Sequence, residues 1–139
     1  MSQRAEPPFR ADHPRPDGLR VGEPTPAHAT AAGKVMLAGL RAARLSELLE
    51  RTGLPRLAPR TVADRRALDR ELMRIRSEGA AVEVEEYEPG VAGVAAPVLG
   101  ADGEVTAALG VSVTRAEFTA RRWELERVVR SAAARAVVG

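Results

Sequence analysis

After Gly79 the apolar residues stop recurring every three or four positions and begin to alternate, and that change restricts the chain to a mixed fold. Upstream, Leu68, Leu72 and Ile75 form one stripe of a helix that starts behind an N-cap at Asp64 and stops at Gly79. Downstream, Ala81–Glu88 alternates as a half-buried strand does, until Pro89 and Gly90 break it. Val91–Leu99 reads as a more buried strand, 100–103 as a hairpin turn, and Glu104–Val113 as the third strand of an antiparallel meander. Two further helical patterns precede the stripe. One starts at His28 or Thr30 and runs to Leu40; the other covers about 42–52, with Leu45, Leu48 and Leu49, and Gly53 as its stop. A long helix over about 117–137 closes the chain, with Leu125, Val128, Val129, Ala132 and Ala136 on one face and Trp123 as an anchor at its edge. The order ααα–βββ–α predicts an α+β domain, an antiparallel sheet with helices packed on it.

One domain fits 139 residues. The 45% hydrophobic content comes mostly from Ala and Val, so the core has to be closely packed from small side chains. Gly33, inside a helical pattern, costs roughly 1 kcal/mol against alanine and signals close backbone packing. Residues 1–26 hold six prolines among charged and small residues and read as an extended or disordered arm, with at most a short strand around Leu19–Val21. Three strands make a narrow sheet for four helices, which predicts a further strand from the arm or cover from a partner chain. A net charge of +2 gives little long-range attraction for nucleic acid. The N-terminus lacks the apolar stretch of a signal peptide and no apolar run approaches 18 residues, so a cytoplasmic protein without membrane contact is expected.

Catalytic chemistry finds little to work with. There is no cysteine, which excludes disulfides, zinc–thiolate sites and thiol nucleophiles, and the motifs of metalloproteases, P-loop enzymes and serine hydrolases are absent. Of two histidines, His13 lies in the arm and His28 reads as a capping or structural residue. Strand parity sends Glu83 and Glu85 one way and Glu86 and Glu88 the other, so the four carboxylates do not converge on a cation, and a polar outer face accounts for Glu86 and Glu88. The arginine-rich run 65–76 reads as a solvated helix surface with i,i+4 pairing. Two features suit a small ligand: a helix N-terminus near Thr30–Lys34, whose unpaired amides favour an anion, and the bulk-free strand 91–96. Each is equally a device for close packing.

The segment Pro26–Ala38 resembles the PLHATAxGKxxLA signature of the effector-binding domain of IclR-type bacterial transcriptional regulators. The likeness continues in register through Leu68–Gly79, Glu85–Val98, Gly103–Ser112 and the last helix to Gly139. It implies a GAF/PAS-like antiparallel sheet with flanking helices over 27–139, a cleft for a small organic effector, and dimers or tetramers. Carried over by motif, the effector-binding positions fall on the amides of Ala31 and Ala32, on Glu83, on Val91 and Gly93, and on Gly110 and Ser112. Gly93 and Gly110 stand where the family often has Cys or Ser, and Glu83 where Asp is common. The resemblance therefore implies an enlarged site, for a carboxylate or aromatic metabolite bulkier than a two- or three-carbon acid.

No pattern before Ala27 matches the family's winged helix-turn-helix or the first hairpin of its effector domain, so truncation at that hairpin is expected. The expectation is thus a non-enzymatic sensing and oligomerisation domain that needs no cofactor and does not bind DNA by itself. The alternative is a truncated structural module, without a working pocket, that pairs with full-length regulators.

Overall fold

Thr30, Asp64 and Thr114 open three of the four helices in the same way, each side-chain oxygen accepting the backbone N–H three residues on, from Gly33, Ala67 and Glu117. The computed structural model describes residues 26–136. The expected arm over 1–25, the strand around Leu19–Val21 and the terminal Gly139 lie outside the described residues. A short 3₁₀ turn, Ala27–Ala29, leads into α1 (Ala31–Ala38), followed by α2 (Ala42–Thr52) and α3 (Arg65–Glu78). Then come β1 (Ala81–Val84), β2 (Val91–Leu99) and β3 (Val105–Thr114), and finally α4 (Arg115–Arg135). Gly79 ends α3 in the left-handed conformation, φ 75°, its N–H returning to the Ile75 carbonyl.

The strands form one antiparallel sheet in the order β1-β2-β3, so the expected α+β fold is present. Its two faces are covered differently. Ala81 and Ala95 on one face join Ala31, Val35, Leu37, the leucines of α2 and the Leu68–Leu72–Ile75 stripe of α3. On the other, Ala92, Val94, Ala96 and Val98 pack against Phe118, Val129 and Ala133 of α4. Both cores place alanines where helix meets sheet, so helix and sheet backbones approach closely. Gly33 shows how closely. A Cβ there would lie 2.3 Å from the Ala27 carbonyl oxygen and 2.6 Å from the Ala27 Cα. None of the four helices is long and apolar enough to cross a membrane.

Two sequence expectations are corrected here. The first strand ends at Val84, not Glu88, because Glu85 adopts a left-handed backbone, φ 57°, that turns the chain out of the sheet. In α4, Arg121 is non-helical (φ −132°, ψ 26°) and resets the phase of the helix. The buried stripe is therefore Phe118, Val129 and Ala133, with Leu125 and Ala136 beside it. Val128 is exposed, and Trp123 is 72% exposed, stacked under the Arg122 guanidinium at 4.9 Å and not anchored in the core.

The largest fully buried side chain is that of Lys34. Its ammonium donates to Glu71 Oε2 of α3 (3.1 Å), to the Val82 carbonyl of β1 (3.1 Å) and to Glu86 Oε1 beyond β1 (2.8 Å). All three donors are thereby used. Removing either carboxylate would leave this buried ammonium one acceptor short, and so would destabilise the fold.

The Gly33 contact gives a stability prediction. Alanine favours a helix over glycine by about 1 kcal/mol, yet Gly33→Ala drives its methyl into the Ala27 backbone. Overpacking wins, and the variant is expected to lose at least about 2 kcal/mol in urea unfolding. Gly103→Ala, with φ 84° and open space around the new Cβ, loses less.

Candidate functional site

Antiparallel pairing sets Glu83 opposite Gly93 and Gly93 opposite Ser112, one row across all three strands. Paired residues share a face, so the row lies on the side covered by α1. A Cβ on Gly93 would sit 3.3 Å from Glu83 Oε1 and 3.6 Å from the Ala31 Cβ. The absent side chain is thus what lets the helix N-terminus and the carboxylate come together over β2. Val91, opposite Thr114, lies two residues along β2 on the same face and is buried. Gly110, opposite Ala95, shares that face too.

The row brings Ala31, Glu83, Gly93 and Ser112 together. Ala32, half-buried on α1, packs toward the helical core. Gly110 has a tighter reason to be glycine than the expected enlargement of a cavity. A Cβ there would lie 2.8 Å from the Val94 carbonyl oxygen and 2.9 Å from the Ala95 Cβ, so β2 already fills that direction.

At the end of α1, Thr30 Oγ1 accepts the Gly33 N–H at 3.0 Å. The N–H groups of Ala31 and Ala32, at the first two helical positions, have no acceptor among the described residues. Such amides, with the positive end of the helix dipole, favour an anion. Facing them, Glu83 is only 3% exposed and forms no ion pair among the described residues. Its Oε2 accepts the Glu86 N–H at 2.9 Å, and the Tyr87 N–H also bonds the carboxylate. Burial pushes the Glu83 carboxyl up to about 7, the nearby Glu86 charge adding to the effect and the two amides and Lys34 opposing it. Near neutrality this group is both a hydrogen-bond donor and an acceptor.

Sequence parity misplaced Glu86. The turn at Glu85 brings its side chain inward to Lys34, while its carbonyl accepts the Thr61 hydroxyl. Thr61 Oγ1 in turn accepts the N–H groups of Leu57 and Ala58, tying the segment after α2 to the loop after β1. Lys34, Thr61 and Glu86 therefore support the site, and pattern reasoning found none of them in that role. The one available signal was that Lys34, the only lysine, falls on the inward side of α1 beside Val35. Glu85 itself turns outward, to the Gly90 N–H and to Arg115 and Arg60.

His28 is buried, and its Nε2–H donates to the Pro55 carbonyl at 2.8 Å, the structural role expected of it. Burial holds its pKa down. The arginines of α3 behave as a paired surface, with Arg65 on Asp69 and Arg74 on Glu71 and Glu78. Among the described residues no three histidines or carboxylates gather as metal ligands.

Residues 17–137 match the family model of the C-terminal domain of IclR bacterial transcriptional regulators. Over 93 residues the chain is 44% identical to the HTH-type transcriptional regulator XynR of Escherichia coli (strain K12), covering 67% of this chain and 37% of that protein. It is 39% identical over 94 residues to the p-hydroxybenzoate hydroxylase transcriptional activator of Acinetobacter baylyi, covering 68% of this chain and 35% of the relative. The chain thus spans little more than a third of these relatives' length. Among solved structures, the inducer-binding domain of the PobR transcription factor from Acinetobacter, a double mutant in complex with 3-hydroxybenzoic acid, superposes with a TM-score of 0.72 at 32% identity. That match covers 90% of this chain and 74% of the other. These relatives are transcriptional regulators, and with the match over nearly the whole described fold the chain belongs to the IclR family as its C-terminal, effector-binding type of domain.

Proposed function

We propose that this chain senses a small organic anion, best an aromatic carboxylate, as the effector domain of a cytoplasmic transcriptional regulator. The observation that carries the reading is the row Glu83–Gly93–Ser112 beside the N-terminus of α1, where the Ala31 and Ala32 amides have no acceptor among the described residues. In this reading the two amides take the effector carboxylate and Glu83 takes its hydroxyl or second polar group. Val91 and Gly93 form the floor, and Ser112 and Gly110 the far side. Support for an aromatic acid comes from the Acinetobacter matches: a regulator named for activating p-hydroxybenzoate hydroxylase, and the PobR inducer-binding domain solved as a double mutant with 3-hydroxybenzoic acid.

The domain proposed for this function is 27–139. It acts through association of identical copies, the effector favouring one arrangement over another, because a ligand shifts an equilibrium only by its differential affinity for the two states. DNA contact belongs to a different part of such a regulator, and no membrane is involved.

A thermal-shift screen of hydroxybenzoates and short hydroxy acids tests this. Binding at one hundred times Kd stabilises the fold by about 2.7 kcal/mol, which moves the midpoint of a domain this size by several degrees. Gly93→Leu, which pushes a side chain between Ala31 and Glu83, is expected to remain folded by circular dichroism and to abolish the shift. A shift that survives the substitution places the ligand elsewhere.

The Glu83 carboxyl gives a second prediction. The folded protein keeps its proton up to about pH 7, whereas the unfolded chain releases it near 4.5. Between those values the folded state holds more protons, so this group's contribution to stability falls as pH rises through the window. Relative to Glu83→Gln, the wild type is expected to lose about 3 kcal/mol between pH 4.5 and pH 7.5, read from urea midpoints. Parallel pH profiles would show that the acid is not buried in solution.

A further inference from the structure

The cations beneath the site are already matched without Glu83. Glu71 Oε2 lies 2.7 Å from Arg74 and 3.1 Å from Lys34, and Glu86 Oε1 lies 2.8 Å from Lys34. Arg74 also meets Glu78 at 3.3 Å, so two cations face three carboxylates, and among the described residues no positive charge is left over for Glu83. Among the described residues the other elements bring no charge to this face. β2 offers Val91, Gly93 and Ala95, and β3 offers Gly110, Ser112 and Thr114, while Glu85 is engaged outward with Arg60 and Arg115 and His28 with Pro55. Glu86 alone touches both parts of the cluster, its side chain on Lys34 and its amide on Glu83.

We propose that Glu86 is a positioning residue that sets the charge preference of the effector site. By satisfying Lys34 it leaves Glu83 a neutral acid, so an anion binds together with a proton held on Glu83, whose O–H then donates to it. This deepens the effector reading above and rests on it. Ionising Glu83 would place an uncompensated negative charge opposite an anionic ligand, and burial together with the Glu86 charge already holds the Glu83 carboxyl up to about 7. With Glu86 uncharged, Lys34 would keep only Glu71, which it shares with Arg74, and its charge would act on Glu83 without the opposing Glu86 carboxylate. The acid would ionise at lower pH, and the site would turn from anions toward neutral donors. Glu86 thus selects the effector's charge without touching it.

The test begins on the ligand-free protein. Carboxyl ¹³C NMR titration, with the Glu83 signal assigned through Glu83→Gln, reads its midpoint in wild type, Glu86→Gln and Glu71→Gln, and Glu124→Gln on the far side of α4 serves as a control. Both cluster variants are expected to move the Glu83 midpoint down, and the control to leave it in place. Glu71→Gln keeps the test open should Glu86→Gln fail to fold. A midpoint that stays or rises in a folded variant overturns the proposal. Isothermal titration then compares benzoate with neutral benzamide between pH 6 and pH 8.5. In the wild type, benzoate affinity is expected to fall about tenfold per pH unit above the Glu83 midpoint, with proton uptake. In Glu86→Gln that fall begins at lower pH, while benzamide stays flat. A pH-independent benzoate affinity in the wild type also overturns the proposal. No binding of any aromatic anion, with the NMR midpoints moving as expected, overturns the effector reading instead.

Discussion

The ammonium of Lys34 is the point on which this fold is hung. A charge with no exposure at all is tolerable only where every donor finds an acceptor, and the three acceptors come from α3, β1 and the loop after β1. That requirement fixes the distance of α1 from the sheet and holds the loop against the helix. It also places the Glu86 amide where it can hold Glu83. The small residues Ala31, Gly93 and Ala95 serve the same end, since they let α1 sit close to the sheet.

Much of the architecture was legible because its signals are local. Asp64 before the stripe, Gly79 after it, Gly53 after α2 and the 100–103 turn each act through their own neighbours, and the corresponding elements end where they were expected to. The start of α4 was legible too, though it was placed two residues late. Thr114 and Glu117 stand three apart as a helix N-terminus prefers, and the Thr114 oxygen accepts the Glu117 N–H. The family motifs carried the rest, including the row of positions on one sheet face.

What stayed hidden depends on distance or on rare backbone. A glutamate at positive φ cannot be foreseen from residue type, yet Glu85 alone decides that Glu86 turns inward, against the parity of the strand before it. The break at Arg121 is hidden in the same way: two adjacent valines, Val128 and Val129, sit about 100° apart on a helix, and only the phase set by the break says which one is buried. Gly110 illustrates a different limit. Its sequence context does not reveal a close neighbour, yet the Val94 carbonyl lies 2.8 Å from where its Cβ would be.

The cross-strand row has a consequence for how the sheet finds its alignment. β2 is built largely of Ala, Gly and Val on both faces, and a strand with so little contrast specifies its pairing weakly. Sliding β1 by one residue against it would turn Glu83 into the apolar layer under α4 and lift Val82 and Val84 toward α1. It would also carry the Val82 carbonyl and Glu86 away from Lys34. The single lysine thus acts as a gauge of alignment: only one offset of the hairpin satisfies it, and its partners are 37 to 52 residues away along the chain. A mispaired sheet would leave that buried cation unsatisfied, which costs far more than the few apolar contacts a slipped register would keep.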